Sequence, residues 1–332
     1  MTLSGKVMVT GGAGYIGSHA VLALLDAGYR VVVIDNLVTG FDWAVDPRAD
    51  FVNLAVEDPG IRDVIRAHDV QAIMHFAGSV VVPESVDNPL KYYRNNTAAT
   101  RSLIESAVET GVKHFIFSST AATYGNPTKV PITERDPQLP INPYGMSKLM
   151  TEAMLRDVAA AHPINYGALR YFNVAGADPQ QRSGQSTIGA THLIKIAVEA
   201  ATGKRGHVGV FGTDFATRDG TGVRDYIHVS DLADAHVAAL AKLVETPDES
   251  FTFNCGYGRG FSVLEVLDAV DRVTNMTIER RIEGRRAGDP AELVADNSAI
   301  LAALDWRPKR AELDGIVRDA LAWERKLAEM GK

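Results

Sequence analysis

Tyr144 and Lys148 stand four residues apart in Tyr144-Gly-Met-Ser-Lys148, directly after Pro143. On a helix that spacing puts the phenol and the ammonium on one face. A free tyrosine titrates near pH ~10, too high for a base at neutral pH. A neighbouring ammonium, and any further positive charge brought close, favours the phenolate. Lowering the pKa by ~2–3 units takes roughly 3–4 kcal/mol of differential stabilisation, within reach of two cations in a low-dielectric cleft. Alone, the pair reads more readily as surface residues at a helix start, where such pairs are common. A second candidate is Ser118-Ser-Thr120, which closes an apolar stretch. A hydroxyl there could bond a substrate oxygen and relay its proton, although such residues more often satisfy a turn.

What turns the balance is upstream. Lys6-Val-Met-Val-Thr-Gly-Gly-Ala-Gly-Tyr-Ile-Gly17 sets a short β-branched strand before four glycines within seven residues. Ser18 to Gly28 then reads as a helix with a glycine stop. Strand, glycine turn and helix form a cradle for a dinucleotide pyrophosphate, with the helix N-terminus facing the anion. A second strand, Arg30 to Ile34, ends at Asp35, which lies 18 residues past Gly17. A carboxylate at that point accepts bonds from ribose hydroxyls and repels a 2′-phosphate, which favours NAD over NADP. An oxidised nicotinamide is then the second cation that the phenol needs.

The elements that must position these groups alternate. Strands are expected near Phe51-Val52, Gln71–Phe76, Lys113–Ser118 and Tyr166–Phe172. Helices are expected near Ile61–His68, over a long stretch from about Pro89 to Thr110, and from Tyr144 to Ala161. The expected class is α/β, a Rossmann-like doubly wound parallel sheet, with a smaller mixed α/β lobe over the carboxyl ends of the strands. Past Asn173 the pattern loosens into a loop from Ala177 to Gly189. Helices at His192–Thr202 and Asp231–Leu243 follow, with strands at His207–Phe211 and Val223–Val229. The tail is read as short helices with a strand near Thr277–Ile282.

Composition sets limits. Of 332 residues, 46% are hydrophobic and 23% charged, ordinary for a soluble globular chain. The net charge of -7 argues against a nucleic-acid partner. The single cysteine, Cys255, fits a reducing compartment and a cytoplasmic location. No signal-peptide pattern, membrane-length apolar run or metal-ligand set is read from the sequence.

Together these stretches resemble the extended short-chain dehydrogenase/reductase family, and within it the enzymes that interconvert UDP-glucose and UDP-galactose. The resemblance rests on Thr10-Gly-Gly-Ala-Gly-Tyr-Ile-Gly17, Asp35-Asn-Leu, His75-Phe-Ala-Gly78, Tyr144-x-x-x-Lys148, Leu169-Arg-Tyr-Phe-Asn173, Gly222-Val-Arg-Asp-Tyr-Ile-His228, Arg285-Arg-Ala-Gly-Asp289 and Leu304-Asp-Trp-Arg-Pro308. It covers essentially the whole chain. It implies an NAD-binding Rossmann domain over 1–175, with 223–250 returning to it, and a UDP-sugar-binding lobe from 176–222 and 251–332. It implies Tyr144 as base, Thr120 as its hydroxyl partner and Lys148 on the nicotinamide ribose. NAD contacts are implied for Gly11, Gly14, Tyr15, Ile16, Gly17, Asp35, Asn36, Phe76, Ala77, Gly78, Asn96, Ser118, Tyr144, Lys148 and Tyr171. Contacts to the UDP-sugar are implied for Thr120, Tyr144, Asn173, His192, Leu193, Phe211, Arg224, Arg286 and Asp289. The implied reaction is transient oxidation at sugar C4 with the cofactor retained. A homodimer through helices near 90–110 and 145–160 is also implied.

The chain departs from the family in four places. Val80 replaces a frequent lysine, so phosphate neutralisation must come from elsewhere. Asn53-Leu-Ala-Val56 lacks the usual adenine-binding acid near Ala55, for which Glu57 or Asp58 could substitute. His192 stands where asparagine is frequent. Leu293 stands where tyrosine can flank the sugar, which suggests room for N-acetylated sugars. A 4,6-dehydratase needs an acid and a base just after the strand-end hydroxyl, and Ala121-Ala122 cannot supply them. An epimerase of UDP-xylose, UDP-arabinose or UDP-glucuronate shares nearly all site residues and stays open. A non-catalytic NAD-sensing protein would have no need of both Tyr144 and Lys148.

Overall fold

The computed structural model describes residues 3–286 and 289–332, so Ala287 and Gly288 of the Arg-Arg-Ala-Gly-Asp stretch lie outside the described residues. The strands are β1 Lys6–Thr10, β2 Val31–Asp35, β3 Asp50–Asn53, β4 Val70–His75, β5 His114–Thr120, β6 Asn165–Tyr171, β7 Asn173–Ala175, β8 Val208–Phe211, β9 Val223–His228, β10 Phe251–Cys255, β11 Gly260–Ser262, β12 Arg280–Glu283 and β13 Glu292–Leu293. The helices are α1 Tyr15–Asp26, α2 Ile61–Ala67, α3 Val82–Asp87, α4 Pro89–Tyr92, α5 Ala99–Thr110, α6 Pro143–Ala161, α7 Leu193–Ala201, α8 Val229–Glu245, α9 Val263–Thr274, α10 Ser298–Ala303 and α11 Leu313–Glu329.

Seven strands form one sheet in the order β10-β6-β5-β4-β1-β2-β3, every pairing parallel. Such a sheet is covered on both faces, so its strands read as unbroken apolar runs, as in Val31-Val-Val-Ile34. The two-residue period of β1 sorts its side chains between two cores. Val7 and Val9 pack with Val21 and Leu24 of α1 and Leu232 of α8. Met8 packs on the opposite face with Ile61 and Ile65 of α2 and Leu103 of α5. Each such burial contributes roughly 1.5–3 kcal/mol, which holds the central strand firmly. The chain runs outward from β1 to β3, then crosses back to β4 on the other side of β1. Ligands of open α/β sheets bind at that reversal.

The smaller lobe has its own core, in which Ile194 and Val198 of α7 meet Val266 and Val270 of α9 and Ile316 and Leu321 of α11. Its strands form one sheet of β11-β9-β13 with β7 on β9, and a separate pair, β12-β8.

Three expectations change. The long helix over 89–110 is interrupted: α4 and α5 flank a wider π turn over Tyr93–Ala98. That turn swings Asn96 inward, where its amide bonds Ser79 and Ser147. The tail is not only short helices, since α11 spans 17 residues. The expected division at 250 does not follow the sheets. Strand β10 is the seventh strand of the large sheet, whereas β7 and β9 belong to the small one. Phe251-Thr-Phe-Asn-Cys255 follows α8 and alternates apolar with polar residues, but over only five positions, and it pairs in parallel register with β6.

Candidate active site

The carboxyl ends of β1, β4, β5 and β6 open into one cleft of about 830 Å³, roofed by the smaller lobe. Every site residue expected from the sequence lines it except Asn96. Asn96 is buried and fully committed: its Oδ1 accepts from Ser79 N (2.7 Å), and its Nδ2 donates to Ser79 O (2.9 Å) and Ser147 Oγ (3.1 Å). It fixes the loop after Gly78 instead of facing the cleft.

The first end of the cleft is made of backbone. Gly11 adopts φ +70°, and a Cβ on Gly17 would stand 2.1 Å from the Gly11 carbonyl oxygen, so neither tolerates a side chain. A Cβ on Gly14 would meet only that carbonyl, at 3.2 Å, and would otherwise project into the cleft. Gly14 caps α1 without a side-chain bond, and the first-turn amides of a helix have no intrahelical partners. Those groups suit an anion. At the end of β2, Asp35 Oδ2 accepts from Ala13 N (3.0 Å) and Oδ1 from Leu37 N (2.8 Å), which aims the carboxylate along the same wall. Cradle and acid together fit a dinucleotide with an unphosphorylated 2′-hydroxyl.

The reactive groups sit at mid-cleft. Asn142 caps α6, accepting from Gly145 N at 2.8 Å, with Pro143 in the first turn. Tyr144 and Lys148 therefore start on a fixed turn, and both are buried. Lys148 Nζ donates to the Ser118 carbonyl at 2.9 Å and lies 4.9 Å from the Phe117 ring. Burial pushes its pKa down to about 8, while the Glu152 carboxylate opposes that. Burial also raises the Tyr144 phenol above its ordinary value, and the Thr120 hydroxyl bond lowers it only in part. In the chain by itself, then, Tyr144 is not the acidified phenol expected from its Lys148 neighbour. Lys148 spends a proton on Ser118, and desolvation dominates. Ser118 Oγ shares a short hydrogen bond with Tyr171 OH. Ala121 and Ala122 line the cleft beside Thr120 and offer nothing to move a proton.

The far end is built from side chains. Arg224 on β9 donates to Val223 O (2.8 Å), and burial lowers its pKa against the opposing pull of Asp289. Arg286 Nε donates to Asp289 Oδ2 (3.1 Å), and its guanidinium lies 4.5 Å from the Phe211 ring. His192 caps α7, and Leu193 opens it against the same wall, beside Asn173. Gln185 Nε2 and His192 Nδ1 stand 3.2 Å apart.

Of the two candidate substitutes for the missing acid, Glu57 lines the cleft, whereas Asp58 Oδ1 is used by Gly60 N at 2.8 Å. Val80 lines the cleft as well, and the cation of that stretch is Lys91, ion-paired with Glu84. Nothing in the sequence singled out Lys91, because only the packing of α3 on α4 brings it to the mouth. Tyr226 is also in the wall, and its place inside Gly222–His228 was signal enough to include it.

Residues 7–256 match the NAD dependent epimerase/dehydratase family. A UDP-glucose 4-epimerase of Azospirillum brasilense is 54% identical over 327 residues, covering 98% of this chain and 94% of that protein. The crystal structure of UDP-glucose 4-epimerase from Brucella ovis in complex with NAD superposes with a TM-score of 0.93 at 43% identity, covering 96% and 98% of the two chains. One from Stenotrophomonas maltophila, with bound NAD and formylated UDP-arabinopyranose, gives 0.95 at 37% identity, covering 98% and 99%. The chain belongs to the NAD dependent epimerase/dehydratase family.

Proposed function

We propose that this chain interconverts UDP-glucose and UDP-galactose, working as an NAD-dependent 4-epimerase. The observation that carries the reading is the order of groups along one cleft: dinucleotide cradle, Tyr144 with Thr120 and Lys148, then Arg224 and Arg286. Bound in the cradle, NAD supplies the two-electron acceptor for the hydrogen on sugar C4 and later gives it back. Tyr144 takes the proton of the 4-hydroxyl and returns it to the same oxygen. Thr120 holds that oxygen at the phenol. Lys148 brings positive charge to the ribose side of the phenol, and with the nicotinamide it offsets the burial that raises the phenol's pKa. Arg224 and Arg286 grip the diphosphate with planar guanidinium forks. Phe211 and Asn173 flank the uridine, with Asp289 holding Arg286 in place. The 4-keto sugar turns over on this anchor and presents its other face, which requires firm hold of UDP and slack hold of the hexose.

Leu293 lies in the same wall, paired with Arg224 across β13 and β9. We read that side as open to a 2-acetamido group, so UDP-N-acetylglucosamine should also turn over; no product from it sinks this extension. The protein is read as cytoplasmic; no helix among the described residues is long and apolar enough to cross a membrane. It is read as a homodimer through α4–α6, where Leu90 and Met150 are exposed, and a monomeric mass by light scattering would refute that.

The reading is tested by incubating the purified protein with UDP-galactose and no added NAD. UDP-glucose should accumulate from cofactor carried by the protein. If no UDP-glucose forms, with or without added NAD, the reading fails.

A further inference from the structure

Arg170 belongs to the Leu-Arg-Tyr-Phe-Asn stretch, where an arginine invites assignment to a phosphate. The fold sends it elsewhere. Arg170 is buried behind the cleft and forks onto Glu152, Nε to Oε1 at 2.9 Å and Nη2 to Oε2 at 2.6 Å. Its remaining arm donates to Tyr124 OH at 2.8 Å. That hydroxyl donates to Asn254 Oδ1 at 2.7 Å, and Asn254 Nδ2 is held by Ile132 O at 2.8 Å. Register places Ser119, Arg170 and Asn254 on one rung across β5, β6 and β10.

Glu152 is the third member of a series on α6. Tyr144, Lys148 and Glu152 recur every four residues, so they share one face. Each faces a different residue of Ser118-Ser-Thr120 at the end of β5. Thr120 stands with the Tyr144 phenol in the cleft wall. The Ser118 carbonyl accepts from Lys148 at 2.9 Å. Ser119 Oγ donates to Glu152 in a short bond. Gln138 Nε2 reaches the other carboxylate oxygen at 3.2 Å. A buried carboxylate this heavily bonded is costly unless its geometry is satisfied throughout, and here it is.

We propose that Glu152 and Arg170 are positioning residues for the reaction, with two tasks. They lock the strand end bearing Ser118 and Thr120 against the helix face bearing Tyr144 and Lys148. The Glu152 carboxylate, one turn beyond Lys148, also keeps the ammonium charged inside the sheet edge. This rests on the epimerase reading for its rate measurements. The charged and titratable groups facing Lys148 are Tyr144 and Glu152 on α6, His75 on β4 and Tyr171 on β6 beyond Ser118, with Arg170 behind Glu152. Of these, Glu152 is the carboxylate. His75 is held neutral by burial, with Thr10 and Thr100 on its two nitrogens.

The test compares wild type with Glu152→Gln, the double variant Glu152→Gln/Arg170→Gln, and Ser119→Ala. The double variant removes both charges, because a lone buried guanidinium can by itself unfold the chain. In Glu152→Gln the alkaline limb of kcat should move down by about one pH unit, since Lys148 loses its opposing charge while Arg170 stays. KM for the UDP-sugar should stay within about two-fold, because the diphosphate grip is elsewhere. The limb in the double variant should lie between Glu152→Gln and wild type. Ser119→Ala, which keeps both charges, should lose about ten-fold in kcat with its limb unmoved, as misplacement does. Independently of turnover, the 13Cε resonance of Lys148, assigned by its loss in Lys148→Arg, should titrate at lower pH in the Gln variants. An unshifted Lys148 titration with uniformly reduced kcat, or wild-type kcat in Ser119→Ala, overturns the proposal. A wild type without epimerase activity but with a shifted Lys148 resonance would instead refute the epimerase reading and keep the charge relation.

Discussion

The two ends of the cleft are made differently. From the cofactor end to mid-cleft it is backbone and buried side chains: Ser118, Thr120, Lys148 and Tyr144 are 2%, 7%, 3% and 8% exposed. The sugar-nucleotide end is long side chains on short strands and loops, with the Arg286 side chain 48% exposed and that of Asp289 31%. At the first end, the sheet's two cores fix the groups before anything binds. At the second, the groups hold one another. The contrast matches a reaction in which proton and hydride are placed by groups fixed beforehand, while the hold on UDP comes from charged side chains that pair with one another until the diphosphate arrives.

The largest effect that would break this contrast is at Tyr144. Tyr144→Phe should lower kcat by about 10²–10⁴-fold, the usual worth of a positioned base, while NAD is still retained. A smaller loss would mean that the buried end is not where the proton moves. Next is the arginine pair. Arg224→Ala removes a partly buried charge-assisted contact, so UDP affinity should fall by about 1.5–3 kcal/mol. Arg286→Ala, at a half-exposed position, should cost about 0.5–1 kcal/mol. Equal effects in a UDP titration would erase the difference between wall and rim. Smallest, and a matter of pH, is Lys148. Below about pH 8 its ammonium is charged, and above it the charge is lost, so kcat should decline through that value on the alkaline side. Arginine does not titrate there, so in Lys148→Arg that limb should disappear from the accessible range.

The sequence was most legible where geometry is local. Gly11, Gly14 and Gly17 are spaced by the turn itself, Asp35 by the length of one helix and one strand, and Tyr144 with Lys148 by the pitch of a helix. Each of these reached the cleft. What the spacing could not convey was competition for a side chain. Asn96 carries the right chemistry for a ligand, but the π turn hands both ends of its amide to Ser79 and Ser147. Arg170 sits in the Leu169-Arg-Tyr-Phe-Asn173 stretch and serves Glu152 instead of a phosphate. Lys91 was silent, because its approach to the mouth depends on α3 packing against α4. Strand β10 was likewise hard to see, since its apolar–polar alternation lasts only five residues, and it joins the sheet only through β6.

The account's central claim is that one carbon gives up a hydrogen to a held cofactor and receives the same hydrogen back, with Tyr144 handling only the proton on oxygen. The direct measurement is to convert UDP-galactose deuterated at C4 in ordinary water and to read C4 of the UDP-glucose product by NMR. The account predicts that deuterium stays at C4. Replacement of that deuterium by hydrogen from water would contradict it.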